Sequence, residues 1–289
     1  MRRPPRAAVP VGALVLALAL TGCSGQPPGQ SAAAQARTFP SGTTMHAIQQ
    51  RGEVVVGVKY DQPSFGLLNP LTGKPEGFDI EIARLVAEDL TGSPHNVRYV
   101  ETVTSNREAF IEQGKVDLVI ASYVVNEKRK KKVSFAGPYY DTGIAVLARR
   151  DDRSIRDAHD LGGRPVCVAQ GSHSAEVLPK VVPGVRLVEF SSYSYCAQAL
   201  KDRRVDATVT SESILIGLEQ QNPDELRVVP GYLEAEQTAI GFAKGDRELH
   251  AHLTGLLKEA VRDGRWGAAY RATVGKVTGQ RPKPPEITL

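Results

Sequence analysis

Two stretches of the chain repeat one local pattern. Residues 114–122 read Gly-Lys-Val-Asp-Leu-Val-Ile-Ala-Ser, and residues 203–211 read Arg-Arg-Val-Asp-Ala-Thr-Val-Thr-Ser. Each pattern predicts a helix end, a turn, a Val-Asp pair and a buried strand that ends in Ser. Around both stretches, short β-branched runs alternate with helical periodicity, which is typical of α/β layers with parallel sheets. The sequence therefore predicts two similar α/β lobes.

The predicted elements place the two lobes along the chain. Strands are predicted at Val54–Val58, Val97–Val100, Val116–Ile120, Val166–Val168, Val185–Phe190 and Val205–Thr210, and helices at Gly77–Leu90, Arg107–Gln113, near Ser174, and at Tyr193–Asp202, Glu248–Arg262 and Trp266–Tyr270. Gln237–Phe242 is a candidate return crossing. We therefore expect residues 45–144 and 241–277 in lobe 1 and residues 145–240 in lobe 2. A crevice shared by such strand ends is the usual ligand site of open α/β folds.

The amino terminus has the layout of a secretory signal. Three arginines within the first six residues precede the apolar run Val11–Leu20, which is too short to span a bilayer. The run leads into Leu20-Thr21-Gly22-Cys23, which looks like a bacterial lipobox; the alternative is an ordinary signal with an incidental cysteine. We expect residues 1–22 to be a lipoprotein signal peptide and Cys23 to carry the lipid. The protein would then be exported and anchored to the outer face of the cell membrane.

The segments at either end of the body have few large apolar residues. Residues 23–44 consist mainly of Gly, Pro, Gln, Ser and Ala and predict a flexible tether. Residues 278–289 contain three prolines and predict a loose tail.

The basic character of the chain comes largely from the signal. The whole chain has 36 Lys+Arg against 32 Asp+Glu, and residues 1–22 contain three arginines and no acid. The mature protein is therefore nearly neutral, which gives no reason to expect nucleic acid as a partner, because phosphate binding needs concentrated positive charge. The cationic run Lys128–Lys132 is interpreted as a solvated face.

The three cysteines suggest one lipid anchor and one pair. With Cys23 assigned to lipid, Cys167 and Cys196 remain, and we expect a disulfide because conditions outside the cytoplasm permit it. The alternative is two buried free thiols. The sequence contains no Cys-x-x-Cys motif or His-rich cluster, so neither a metal nor a cofactor is expected.

A series of short motifs carries a family resemblance. They are Val56-Gly57-Val58-Lys59-Tyr60-Asp61-Gln62-Pro63, Gly77-Phe78-Asp79-Ile80-Glu81-Ile82-Ala83, Gly114-Lys115-Val116-Asp117-Leu118-Val119, Lys128-Arg129, Phe135-Ala136-Gly137-Pro138-Tyr139-Tyr140, Gln170-Gly171-Ser172, Val205-Asp206-Ala207 and Asp263-Gly264-Arg265-Trp266. In this order, over nearly the whole body, they resemble the extracellular solute-binding proteins of family 3, which serve ATP-driven amino-acid importers. The likeness is greatest to actinobacterial glutamate- and glutamine-binding lipoproteins.

The resemblance implies a type II periplasmic-binding-protein-like clamp of the α/β class. Each lobe would be a mostly parallel sheet flanked by helices, and two hinge strands near Tyr140–Val146 and Gln237–Phe242 would join the lobes. A hinge motion would close the clamp around glutamate, aspartate, glutamine or asparagine, and the subunits of an ABC permease would recognise the closed state. We expect a monomer.

The resemblance also implies roles for particular residues. Arg129 matches the arginine that grips the ligand α-carboxylate through a bidentate fork; the alternative is one more exposed cation. Gly171, Ser172 and His173 match a strand-to-helix turn whose backbone N–H groups face an anion. The alternative there is a plain helix cap, with His173 a loop residue.

Five further residues complete the predicted ligand site. Asp61 stands where the family recognises the ligand side chain, or else forms an Asx turn before a proline. Arg107 is a candidate partner for a distal carboxylate, or a surface residue of its helix. Phe65 is a candidate wall, or a loop anchor. Ser122 and Ser211 are assigned to the site as ends of the two repeated strands.

Two departures from the family pattern affect the ligand amine. The family usually has Ser or Thr where Val124 stands, and Asp where Ser211 stands, so both groups that would hold the ammonium are altered. Loss of a buried charged partner costs about 1–3 kcal/mol or more. Glu212 is adjacent to Ser211, but successive strand residues point to opposite faces, which argues against simple replacement.

Four functional classes follow from these residues. The preferred one is capture of an amino acid for an ABC importer, without catalysis, because no convincing acid-base pair is visible. The alternatives are a sensor lipoprotein that engages a membrane signalling partner, a binder of an amine-free carboxylate, and a scaffold without a ligand.

Overall fold

The computed structural model describes residues 37–289. The predicted signal peptide, the lipid attachment at Cys23 and most of the predicted tether lie outside the described residues. Within residues 37–289, no helix has the length and apolarity needed to cross a membrane, and no group of acidic, His and Cys side chains is arranged to hold a metal ion.

Ten α-helices and eleven strands are formed within the described residues. The helices are α1 Thr44–Arg51, α2 Phe78–Thr91, α3 Arg107–Glu112, α4 Glu127–Lys130, α5 His173–Val181, α6 Tyr193–Lys201, α7 Glu212–Gln221, α8 Arg247–Arg262, α9 Arg265–Ala272 and α10 Val274–Thr278. The strands are β1 Val54–Val58, β2 Asp61–Gln62, β3 Gly66–Leu68, β4 Pro75–Glu76, β5 Val97–Glu101, β6 Leu118–Val119, β7 Val133–Arg149, β8 Pro165–Ala169, β9 Arg186–Phe190, β10 Ala207–Ser211 and β11 Leu226–Ala243.

Eight strands form one continuous hydrogen-bonded sheet in the order β5-β1-β6-β11-β7-β10-β8-β9. The outer strands pair in parallel, β1 with β5 and β6, and β8 with β9 and β10. The two central strands, β7 and β11, are antiparallel to each other and have 17 and 18 residues. Both therefore run through the two halves of the molecule, as the predicted hinge crossings require.

Separate hydrophobic cores identify the two halves as lobes. The hydrophobic clusters around α1, α2, α8 and α9 consist of residues in two parts of the chain, one ending at Tyr140 and the other starting at Ala239. The clusters built on α5, α6 and α7 use residues from Ile144 to Leu233. We call the first half lobe 1 and the second lobe 2. The change of core lies within a few residues of the boundaries expected from the sequence.

The ends of the predicted helices reflect local chemistry. Helix α2 ends at Gly92, which has a left-handed φ of 80° and donates to the carbonyl of Glu88. Its amino end follows Gly77, where an added Cβ would lie 2.3 Å from the carbonyl oxygen of Phe65. Glycine at position 77 therefore allows the backbone of α2 to approach the Phe65 turn.

The small antiparallel sheet β2-β3-β4 was not predicted. Its strands have two or three residues each, too few to show a period of two in the sequence. This sheet holds Asp61 and Gln62 at the edge of lobe 1 that faces lobe 2.

The last part of the predicted tether belongs to the folded body. Phe39 packs against the lobe 1 core, and the Arg37 guanidinium forms an ion pair with Asp89. The hydroxyl of Thr43 accepts a hydrogen bond from the backbone of His46 and so caps α1. The tether prediction was therefore wrong for residues 37–44, because two side chains in this polar stretch find partners that are distant in sequence.

The prediction of a loose carboxyl-terminal tail was also wrong. Leu289 and Gly137 exchange two backbone hydrogen bonds, and the Thr254 hydroxyl donates to the Leu289 carbonyl at 3.0 Å. Ile287 is buried in the lobe 1 core. The tail has no secondary structure, but it pairs and packs along its last residues.

The predicted disulfide is present in lobe 2. Cys167 on β8 and Cys196 on α6 are joined with a Cα–Cα distance of 5.5 Å, and both residues are fully buried. The bond closes a loop with a sequence separation of 29. It ties the central strand of lobe 2 to the helix that covers it.

Replacement of both Cys167 and Cys196 by alanine is expected to lower the free energy of unfolding by about 3–4 kcal/mol, because the unfolded chain regains the entropy of a loop of this length. Urea denaturation of the oxidised protein, the reduced protein and the double variant measures this difference. Equal midpoints for the oxidised and reduced proteins would contradict the prediction.

Candidate ligand-binding site

A polar cavity lies between the two lobes, where the carboxyl ends of β6 and β10 face each other. The space between the lobes, counted together with its part open to solvent, is about 290 Å³. Its walls are Gln62, Thr104, Arg107, Ser122, Val124 and Arg129 from lobe 1, Ser172, His173, Ser174, Tyr193, Thr210, Ser211 and Ile214 from lobe 2, and Glu236 from β11. The predicted residues Arg107, Ser122, Arg129, Ser172, His173 and Ser211 are therefore brought together.

Arg129 is a buried residue of the cavity and not an exposed cation. Only 5% of it is exposed, whereas its neighbour Lys128 has a 73% exposed side chain. Its guanidinium donates to the Val124 carbonyl at 2.6 Å and the Gly171 carbonyl at 3.1 Å, and its Nε lies 3.3 Å from a Glu108 oxygen. A guanidinium has five N–H donors. These contacts leave one N–H on each terminal nitrogen, the number that a bidentate carboxylate contact uses.

Arg107 provides a second buried guanidinium. Its Nε donates to Thr104 and its Nη1 to the carbonyls of Ala121 and Ser122, which leaves Nη2 without a partner among residues 37–289. Its central carbon lies 4.4 Å from the centre of the Tyr123 ring. Burial, followed by the charge of Arg129, lowers the pKa of Arg107 to about 10, so Arg107 stays charged at neutral pH.

The start of α5 forms the facing wall in lobe 2. The Ser172 hydroxyl accepts a hydrogen bond from the backbone N–H of Ala175 and caps α5, as the alternative interpretation of this turn expected. His173 contacts Asn126 of lobe 1 through Nδ1 at 3.2 Å and Glu234 through Nε2 at 3.1 Å. Gly171 does not line the cavity, but its carbonyl receives the bond from Arg129.

The loop that carries Ser122 forms hydrogen bonds with a buried carboxylate that does not line the cavity. Asp79, which is fully buried near the start of α2, accepts from the backbone and the hydroxyl of Ser122 at 2.8 and 3.1 Å, and from the Tyr139 hydroxyl at 2.7 Å. Burial raises the pKa of Asp79 to about 6 despite these donors. The Ser122 hydroxyl proton is thus committed to Asp79, and the Ser122 oxygen can act toward the cavity only as an acceptor.

Asp61 joins the two lobes outside the cavity. Its carboxylate accepts from the backbone of Tyr193 at the start of α6 in lobe 2, at 2.9 Å, and lies 3.3 Å from the ammonium of Lys59. Burial lowers the pKa of Lys59, and Asp61 opposes that shift. Asp61 therefore holds the lobes together in this structure and does not line the cavity, contrary to the role expected from the sequence.

Phe65 is a core residue and not a wall of the cavity. It is 1% exposed and makes edge-to-face contacts with Phe78 and Tyr140 at ring distances of 6.0 and 5.1 Å. Its loop folds back onto lobe 1 because an aromatic side chain gains more from burial than from exposure beside the crevice. The alternative role of a loop anchor describes its position.

Several cavity residues were missed by the sequence analysis, namely Gln62, Thr104, Ser174, Tyr193, Thr210, Ile214 and Glu236. Strand alternation offered a signal for one of them, because Gln62 follows Asp61 and must point to the other face of β2. Glu236 immediately precedes the predicted crossing Gln237–Phe242. Its distance in sequence from both repeated strands hid its position between them.

Glu236 is the principal acidic group of the cavity wall. It is 4% exposed, and its Oε2 accepts from the Ser211 hydroxyl at 2.6 Å. Burial raises its pKa, while the Ser211 hydrogen bond and the nearby His173 and Arg129 act in the opposite direction. The wall therefore contains two guanidinium groups and one carboxylate.

Known proteins are similar to this chain over most of its length. The glutamine-binding protein of Geobacillus stearothermophilus is 35% identical over 246 residues, which cover 84% of this chain and 93% of the relative. The glutamate-binding protein GluB of Corynebacterium glutamicum is 33% identical over 276 residues, which cover 92% and 90%. These relatives are solute-binding proteins and not enzymes.

Solved structures of similar fold are also solute-binding proteins. A solute receptor for L-cysteine of Neisseria gonorrhoeae matches with a TM-score of 0.78 and 34% identity, over 84% of this chain and 98% of that one. An ancestral arginine-binding protein bound to glutamine matches with a TM-score of 0.73 and 33% identity, over 80% and 99%. The type II clamp expected from the sequence is thus confirmed.

A protein-family model agrees with the individual relatives. The family described as bacterial extracellular solute-binding proteins, family 3, matches residues 54–276, which include most of lobe 1, all of lobe 2 and every residue of the cavity wall. The chain belongs to family 3 of the bacterial extracellular solute-binding proteins.

Proposed function

We propose that this protein captures a small polar amino acid outside the cytoplasm and delivers it to an ABC importer. Glutamate, aspartate, glutamine and asparagine are the candidate ligands, and a lipid on Cys23 would hold the protein at the outer face of the membrane. The observation that carries the proposal is the pair of buried guanidinium groups, Arg107 and Arg129, in one cavity between two lobes.

The charges of the cavity favour the acidic ligands within this set. Arg129 has two N–H donors available for an α-carboxylate, and Arg107 has an Nη2 available for a second oxygen. With Glu236 as the opposing charge, an ionised wall has a net charge of about +1. Glutamate and aspartate have a net charge of −1 at neutral pH and would neutralise it, whereas glutamine and asparagine would leave one guanidinium without an anion.

Contacts between the lobes support capture by closure. Arg129, Asn126 and Asp61 of lobe 1 bind the backbone or side chains of Gly171, His173 and Tyr193 of lobe 2. These contacts surround the cavity, so a ligand inside it would be enclosed by both lobes. A permease that binds the closed arrangement more tightly would thereby detect the ligand.

Isothermal titration calorimetry of the mature protein against the four candidate amino acids tests the ligand proposal. We expect the acidic pair to bind more tightly than the amides, with saturable one-site binding. Uptake of the labelled ligand by cells, with and without the gene for this protein, tests delivery. Absence of binding by all four amino acids would contradict the proposed ligand class, and uptake independent of the protein would contradict delivery.

A further inference from the structure

Glu236 lines the cavity, and one oxygen of its buried carboxylate has no partner among the described residues. Oε2 accepts from the Ser211 hydroxyl, but Oε1 has no hydrogen-bond partner among residues 37–289, although its solvent exposure is negligible. No Lys, Arg or His within the described residues forms a salt bridge with Glu236. A buried carboxylate oxygen of this kind is costly unless a donor reaches it.

The sheet brings this carboxylate to the end of β10. Glu236 on β11 pairs with Thr142 on β7, and Ser211 on β10 pairs with Ile144 on the other side of β7. The Glu236 side chain therefore reaches across β7 to the Ser211 hydroxyl. Ser211 contributes no charge of its own, but it fixes one carboxylate oxygen and leaves the other for a second donor.

The surrounding charges define which donor fits. Arg107 and Arg129 supply the positive charge of the cavity wall, whereas Glu236 bonds to Ser211 and forms a salt bridge with neither guanidinium. A ligand that meets both sides must carry anionic oxygens and a cationic N–H group at once. An α-amino acid has this combination, and a keto or hydroxy acid has only the anionic part.

We infer that Glu236, positioned by the Ser211 hydroxyl, binds the ammonium group of the ligand. The inference rests on the proposed function and narrows it, because it requires a ligand that retains its α-amine. It also accounts for the missing carboxylate at Ser211, since the negative charge then comes from the crossing strand β11 and not from β10.

The test compares Glu236→Gln with the wild-type protein by calorimetry, using glutamate and its 2-hydroxy and 2-oxo analogues. Glutamine keeps the size of the side chain and still accepts from Ser211, but it removes the negative charge. We expect the affinity for glutamate to fall by about 10- to 100-fold, as for loss of one charge-assisted bond, and the affinity for the two amine-free acids to stay the same or rise.

Glu189→Gln is the matched control, because it makes the same charge change at an exposed position on β9 of lobe 2. It should leave all three affinities unchanged. A rescue variant combines Glu236→Gln with Ser211→Asp, which puts a carboxylate next to the same position. We expect it to recover at least part of the affinity for glutamate.

The outcomes separate this inference from the proposed function. Failure of the wild-type protein to bind any amino acid would contradict the proposed function. Normal glutamate binding by Glu236→Gln, or an equal loss for glutamate and its amine-free analogues, would overturn the inference alone. Thermal unfolding of the ligand-free variants identifies any loss that comes from misfolding.

Discussion

Replacement of Arg129 by alanine is expected to lower the affinity for the amino acid by about 100- to 10,000-fold. The variant loses a bidentate contact to the α-carboxylate, and each charge-assisted hydrogen bond contributes about 1.5–3 kcal/mol. It also loses the bond from Arg129 to the Gly171 carbonyl, which joins lobe 1 to lobe 2. Calorimetry on the wild-type protein and the variant measures the loss.

Two further substitutions make this measurement specific. Lys131→Ala removes an exposed positive charge two positions along the chain and should leave the affinity unchanged. Arg129→Lys keeps the charge but loses the planar fork, so we expect an affinity between those of the wild-type protein and Arg129→Ala. Equal affinities for Arg129→Ala and Lys131→Ala would show that Arg129 does not contact the ligand.

Replacement of Gly217 by alanine is expected to weaken ligand binding by about 5- to 150-fold without loss of stability in the ligand-free protein. Gly217 on α7 faces Pro63 of lobe 1, and an added Cβ would lie 2.3 Å from the Pro63 carbonyl oxygen. The closed arrangement must shift to relieve this overlap, at about 1–3 kcal/mol. If the lobes separate without ligand, alanine stabilises α7 by up to about 1 kcal/mol instead.

Gly255→Ala on α8 is the control for this second prediction. It is also a helical glycine, but an added Cβ would meet no atom within 4 Å among the described residues. We expect a small gain in thermal stability and no change in affinity. An unchanged affinity for Gly217→Ala would mean that ligand binding does not require contact between α7 and Pro63.

Local periodicity was sufficient to predict most of the elements. Val54–Val58 is apolar over a whole strand, the run ending in Ser211 is rich in β-branched residues, and the apolar spacing of α2 is followed directly by Gly92. These signals are local because each depends on the burial of one face or one strand. The strands of the small sheet β2-β3-β4 are too short to show a period of two, although their partners are near in sequence. The packed tail depends on partners distant in sequence, which no local pattern indicates.

The site was predictable where a residue lies at the end of a regular element. Arg129 lies in the last turn of α4 and Ser172 caps the start of α5, so a motif fixes their position. Asp61 lies on the two-residue strand β2 and Phe65 on the turn after it, where a shift of one residue decides whether a side chain faces the cavity, the edge of the crevice or the core. Glu236 belongs to a strand whose register against β7 contains irregularities, so its reach to Ser211 follows only from the assembled sheet.

The course of β7 and β11 between the lobes also determines the order in which the protein can fold as the chain emerges. Lobe 2 uses one uninterrupted stretch, with core residues from Ile144 to Leu233 and its own disulfide, so its contacts can form as soon as that stretch is available. Lobe 1 cannot complete its core until α8, α9 and the segment ending at Leu289 arrive. The first half of lobe 1 therefore has exposed apolar strands until lobe 2 and the segments after it have been synthesised. These strands are the part of the chain that most needs protection from aggregation during export.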